Sequence, residues 1–328
     1  MDEVQHLYDL TNPGTVTETQ WKATKDVRGL KIRGRGYLTN KVKVAPEEPI
    51  FELVANDLYK SKERYDHVLS HPENRVAKAL KAGQNTPFVF AVNFQVPGPP
   101  YYSYVVYFTC SESALFGLDE IGSEPDFDDL DVEEKEDDSS SSITSETQKK
   151  KQVPSKTQSK LRRTDSKKLK TKVDPDPNLS KQVDVETLAG TPEFEKLRQC
   201  AFERLCWQFF RGDDDKFRDG RFKIIPQIVS GPLLVKSVVP SNKPAVLGNR
   251  LKQRYYRGPG YLELCIDIGS NSIAKHVTRI STNASKYMVV DIFIVLEAKE
   301  IEELPERLLA VFRAVKCDLS RAMPLEKP

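Results

Sequence analysis

The sequence predicts an α+β fold: a mainly antiparallel β-sheet with a few packed helices, interrupted by a long disordered insert. Three observations carry this expectation. Runs of alternating apolar residues recur on both sides of the chain's middle, separated by Gly and Pro breakers. Segments with the three- and four-residue apolar spacing of a helix are fewer. Between the two halves lies a stretch with acids, then serines, then bases, and almost nothing apolar. Short strands joined by tight turns favour an antiparallel sheet over a doubly wound parallel one. The expected organisation is one domain in two parts, 1–116 and 193–328, around an insert at 117–192.

Taken in order, VRGLKIRGRGYLTNKVKV (27–44) reads as a basic strand pair. Phe88–Val96 places Phe88, Phe90, Val92, Phe94 and Val96 on one face and ends at Pro97-Gly98-Pro99-Pro100. A second run, Tyr101–Phe108, follows, so this region reads as strand, turn, strand. From Asp119 to Asp138 there are twelve acidic residues and one lysine, and from Lys149 to Lys172 eleven basic residues and one acid. Ordering such a segment costs about 1–2 kcal/mol per residue in backbone entropy, with little burial to offset it. After the insert, Phe194, Leu197, Ala201, Phe202, Leu205, Cys206 and Phe209 mark an amphipathic helix. Phe222–Val229, Leu233–Val238, Leu251–Arg257, Tyr261–Ile268 and Tyr287–Glu297 read as strands, with a short helix over Ile273–Ile280 that Ser270 would cap. Pro305, with Glu302, Glu303 and Glu306 beside it and Arg313 and Lys316 beyond, matches the dipole order of a closing helix.

Composition narrows the function classes. The 328 residues carry 50 Lys+Arg against 48 Asp+Glu, a formal net charge of +2. The insert holds 13 basic and 18 acidic residues, so the remainder is cationic at +7. The five cysteines are odd in number and scattered, which implies no disulfide framework. The start, MDEVQHLYDL, lacks the pattern of a signal peptide, and the longest apolar run, Met288–Leu296, is far shorter than the ~20 residues that cross a bilayer. A soluble cytoplasmic protein is expected, with a peripheral membrane role open.

No catalytic pattern stands out. The four histidines lie outside zincin and hydrolase motifs, and there is no Walker A, dinucleotide fingerprint or CxxC. Cys265, Asp267 and His276 are close in sequence, but His276 falls on the following helix, so a core thiol is the simpler reading. The turn from Arg211 to Arg221 gathers Asp213, Asp214, Asp215 and Asp219, yet Phe217 stands where a calcium loop needs an oxygen ligand. No metal and no cofactor are expected. The acids of that turn either cap N–H groups and pair with Arg211, Arg218 and Arg221, or leave those arginines for a ligand. Tyr255–Tyr261 is either a stiff hairpin packed on the sheet or a presentation of Arg257 to a phosphate or carboxylate. Gly269-Ser270-Asn271 leads into a helix and is either a cap or an anion site. Asp291, inside an apolar strand, requires a partner such as an arginine. Arg28, Lys31, Arg33 and Arg35 suit either an anionic membrane surface or a solvated edge; nucleic acid is disfavoured because no aromatic platform accompanies them.

The phrases VNFQVPG, GDDDKFRDGRFKIIP, RGPGYLE, DIGS and ELPERL, in this order, closely resemble the C-terminal domain family of Enhanced Disease Resistance 2. Trp21, Val27-Arg28-Gly29, Tyr37-Leu38 and Phe51–Asp57 are similar to its opening, so the resemblance runs from Trp21 to Leu319 apart from the insert. It implies a membrane-associated regulator without enzymatic activity, whose plant relatives carry lipid-binding modules ahead of this domain. Those modules are expected to be absent here. The insert departs from the family pattern, as does the polar Val277–Asn283, where a glycine-rich apolar helix would follow DIGS.

The expected function is a non-enzymatic, lipid- or membrane-associated regulatory domain that binds an anionic or amphipathic lipid. Arg218, Arg221, Arg257 and Gly269-Ser270-Asn271 are its candidate contacts, with Tyr256 as a packing wall. The alternative is a protein-interaction adaptor that recruits partners through the insert.

Overall fold

A computed structural model describes residues 20–83, 87–111, 115, 201–238 and 241–326. In chain order the elements are strands β1 (Trp21–Lys22) and β2 (Ile32–Arg33), helix α1 (Tyr37–Asn40), strands β3 (Lys43–Val44) and β4 (Glu52–Ser61), and helix α2 (Arg75–Lys81). Strands β5 (Phe88–Val96) and β6 (Tyr101–Cys110) follow, then helices α3 (Ala201–Phe210) and α4 (Asp215–Asp219). Next come β7 (Phe222–Ser230), α5 (Leu233–Val238), β8 (Ala245–Val246), β9 (Lys252–Gly258), β10 (Tyr261–Asp267) and α6 (Ser272–Ala284). Strands β11 (Val289–Leu296), β12 (Leu308–Val315) and β13 (Met323–Pro324) close the chain. The insert expected at 117–192 lies outside the described residues, as do Phe194, Leu197 and Cys200.

The strands form a five-stranded sheet, β1-β12-β11-β7-β8, and a six-stranded sheet, β13-β4-β6-β5-β10-β9, with β2 and β3 as a separate pair. The fold is α+β and mainly antiparallel, as the patterning predicts. Two neighbours depart from that: β5 pairs parallel with β10, from Val89↔Tyr261 to Gln95↔Asp267, and β13 pairs parallel with β4. The β5–β6 hairpin is in register along its whole length, from Phe88↔Cys110 to Val96↔Tyr102.

Aromatic side chains join the two sheets. Phe94 and Phe108 approach Phe312 of β12 with ring centroids 5.9 and 6.2 Å apart, and Phe90 meets Phe210 of α3 at 5.3 Å. The alternation of Phe88–Val96 is thus real: its even positions face this core. Its odd positions, Val89 and Ala91, pack with Val105, Tyr107 and Tyr261 under Val68, Leu69, Val76 and Ala79. On the outer side of the five-stranded sheet, Leu30 and Ile32 cover Ile225, Phe293 and Val295.

Three local expectations need correction. Leu308–Val315 is a strand, not the body of a helix. Its residues from Leu308 to Phe312 are all buried, so period two is masked, and the charges beside it serve tertiary pairs instead: Glu303 with Arg221, Glu306 with Lys223. Leu233–Val238 is a helix rather than a strand, because Pro232 supplies the first-turn carbonyl that accepts from Val235 and Lys236 N–H. Asn271, not Ser270, caps α6, accepting from Ile273 N at 2.9 Å and Ala274 N at 3.1 Å. The partner required by Asp291 is Arg313, which donates to both carboxylate oxygens at 2.6 and 2.8 Å.

Candidate functional site

Strand β9 is the edge of the six-stranded sheet, and its alternation sorts two sets of side chains. Lys252, Arg254 and Tyr256 stand opposite Asp267, Cys265 and Glu263 of β10, while Gln253 and Tyr255 face the other way. At its start, the turn Leu247–Asn249 folds back onto α4. Gly248 makes that approach possible, since a Cβ there would sit 2.4 Å from Asp219 Cα. The result is an open cleft of about 520 Å³ whose wall includes Asp219, Arg250, Lys252, Gln253, Arg254 and Ser270.

Its chemistry is cationic and donor-rich. Three of these side chains are Lys or Arg and one is an acid. Asp219 accepts from Tyr255 Oη at 3.0 Å, and burial raises its carboxyl pKa above the ordinary value. Two buried donors on the cleft-lining residues, Gln253 Nε2 and Arg254 Nη1, have no hydrogen-bond partner. Unpartnered buried N–H groups cost about 1–3 kcal/mol each, so an acceptor-rich ligand would be favoured there. A larger hollow of about 710 Å³ lies by Lys60–Glu63, Pro99–Pro100 and Pro324–Glu326. Its walls are mainly apolar and its charges mixed, with Lys60 and Lys62 beside Glu63 and Glu326.

Behind β9 lies a polar layer. Gln95 donates to Tyr65 O and Asp66 Oδ1, both at 2.7 Å, and Arg64 pairs with Asp267 at 2.5 Å. Glu263 is fully buried and accepts from the N–H groups of Val68 and Leu69, each at 2.9 Å. Burial raises its carboxyl pKa and pushes the neighbouring Cys265 thiol well up, so Cys265 stays protonated, in keeping with a core thiol. Cys265 and Asp267 share a face of β10, while the exposed His276 sits on α6, as the spacing predicts. Among the described residues, no group of three or more His, Cys, Asp or Glu side chains could hold a metal ion.

The structure distributes the predicted contacts unevenly. Arg218 is 2% exposed and donates to Phe209 O, Gly212 O and Asp215, with its guanidinium over the Tyr255 ring. Arg221 donates to Glu303 at 2.5 Å and Glu297 O at 2.9 Å. Both arginines therefore bind the turn and strand around them. Arg257, at the far end of β9, holds Asp213 and Arg211 O. Tyr256 stacks on His67 at 4.5 Å. Gly269 passes Pro97 closely, a Cβ there lying 3.1 Å from Pro97 Cβ. Ser270 lines the cleft, donating to Asp267 O and accepting from Lys252 N, and Asn271 follows it as the cap of α6. Arg28 forks onto Asp26, and Arg33 pairs with Glu297 at 2.7 Å beside a hollow of about 140 Å³ that Lys31 also lines. Arg35 is exposed. Arg250, Lys252, Gln253 and Arg254 were not singled out from sequence; the signal was the period-two recurrence of cations at 250, 252 and 254.

Among the described residues, no helix is long and apolar enough to cross a membrane. The family described as "Protein ENHANCED DISEASE RESISTANCE 2, C-terminal" matches residues 21–318. An Arabidopsis thaliana relative, "Protein ENHANCED DISEASE RESISTANCE 2-like", is 25% identical over 303 residues, covering 92% of this chain and 29% of its own length. The chain thus spans less than a third of that relative. No solved structure matches it.

Proposed function

Because the chain belongs to the Enhanced Disease Resistance 2 C-terminal family, we propose that it is a non-enzymatic regulatory domain that binds an anionic or amphipathic lipid at a cytoplasmic membrane surface. The observation that carries this reading is the β9 cleft, which Arg250 and Lys252 line together with Arg254, whose Nη1 has no hydrogen-bond partner while its Nε lies 3.8 Å from Asp66. A phosphorylated headgroup supplies both the negative charge and the acceptors such a wall lacks. The exposed cations Arg28, Lys31 and Arg35 lie on a separate strip, where the fork from Arg28 to Asp26 offsets part of the charge, and the proposed lipid contact does not draw on them.

Sedimentation with vesicles of increasing phosphoinositide content, over a range of salt, tests the reading. Binding should rise with anionic lipid, fall with salt, and drop by about tenfold or more in R250E/K252E, given ~1 kcal/mol per cation near the surface. No binding above a phosphatidylcholine control at low salt would sink it. The rival, a protein-interaction adaptor, draws on the acidic and basic blocks of the insert. It requires partner recruitment to vanish when Asp119–Lys172 is deleted, whereas lipid binding should survive that deletion.

A further inference from the structure

Helix α6 lies on the surface, and none of its residues is buried. Its sequence nevertheless carries an apolar stripe: Ile273, Val277, Ile280 and Ala284 recur at helical spacing. Normally such a stripe is covered by the protein. Here Val277 and Ile280 are half-buried and Ile273 is 74% exposed. Just past the helix, Tyr287 is 69% exposed, and Leu233, on the adjacent helix α5, is 83% exposed.

Charge gives this face a direction. Neither 220–262 nor 268–290 contains a single Asp or Glu. Lys275 and Arg279 are exposed along α6, with His276 among them, while Lys286 at its end pairs with Asp318 at 3.1 Å. Separate apolar projections beside the exposed Lys275 and Arg279 suit a fluid anionic surface. The face is also continuous with the cleft along the chain, because Ser270 on the cleft wall directly precedes Asn271, the cap of α6.

We infer that α6, with Leu233 of α5 and Tyr287, is the surface by which the protein lies on an anionic bilayer, its apolar side chains entering the headgroup boundary. This rests on the lipid-binding reading above and names the face that meets the membrane. An interfacial helix buries its apolar side chains among the headgroups while its lysines and arginines meet anionic lipid.

Two variants of the full chain, together with a strip control, test the inference. Ile273 and Leu233 are exposed, so I273D/L233D should keep the wild-type unfolding midpoint while losing about tenfold or more in sedimentation with phosphatidylserine-containing vesicles. In I273W, emission should shift to the blue on those vesicles and be quenched by brominated lipid beyond the wild-type response. R28E/R35E should sediment like wild type. If wild type sediments and I273D/L233D sediments equally well, the inference is overturned while lipid binding stands. The same holds if the vesicle-bound I273W shows no added quenching, or if the loss appears in R28E/R35E instead. If the wild type itself fails to sediment, the lipid-binding reading falls and takes this inference with it. Retained sedimentation of I273D/L233D alongside lost binding to a protein partner would assign the face to that partner and overturn the membrane assignment.

Discussion

Arg221 shows how residue chemistry and residue role part company. Its place in a polar turn suits a ligand contact, yet in the fold its guanidinium meets Glu303 at 2.5 Å. Burial opposes ionisation of Glu303, but the N–H groups of Glu300 and Lys299 together with Arg221 outweigh it and hold the carboxyl below its ordinary value of 4.5. A carboxyl with a lowered folded pKa binds fewer protons folded than unfolded. Its contribution to stability is therefore complete above pH 4.5 and drains away as pH falls through the lowered value. Denaturant unfolding across the acid range should show a steep loss in wild type and a flatter one in E303Q; superimposable acid limbs would refute the assignment. Sequence could foresee such pairing for Asp291, because a lone acid in an apolar strand demands a counter-charge. It could not name Arg313, which reaches Asp291 across the strand register.

At the scale of elements, legibility followed periodicity. Phe88–Val96 is buried on both faces over Phe88–Asn93, yet it is read correctly because its even positions carry Phe and Val while Ala91, Asn93 and Gln95 stand between them, so alternation survives in the sequence. Leu308–Phe312, the comparable buried run in β12, is apolar at every position, and that continuity equally fits a helix. The start of α6 was misplaced by one residue because Ser270, a good cap by type, is already engaged with Asp267 O and Lys252 N. Asn271 takes the role, so N271A should lower stability by about 1 kcal/mol, with N271S restoring most of it. Thermal unfolding of the three proteins measures this, and an N271A midpoint equal to wild type would show that the cap contributes nothing. The cleft itself was half legible. Ser270 came from a turn pattern, whereas Arg250, Lys252 and Arg254 line up only once β9 is known to be an edge.

For the whole molecule, both sheets combine strands from before residue 117 and after residue 192. All strands of the two sheets among the described residues lie outside Asp119–Lys172, so deleting that stretch should leave the unfolding midpoint within a few degrees of wild type, since the cost of joining the flanking halves varies only logarithmically with the length between them. A collapse of the midpoint would mean the deleted residues support the fold. The pairing of β5 with β10 was not legible, because local patterning marks strands and says nothing about which distant strand fills a gap. That pairing has a consequence in time. Strand β5 is central, and its second neighbour is made only after residue 260 leaves the ribosome. At about 5–20 residues per second, the edge of a phenylalanine-rich hairpin stays open for roughly ten to thirty seconds of every synthesis. The interval is lengthened by the charged insert, whose residues must all be translated before the sheet can close. Until Tyr261–Asp267 arrives, that edge of β5 presents unpaired backbone groups, and β10 closes it.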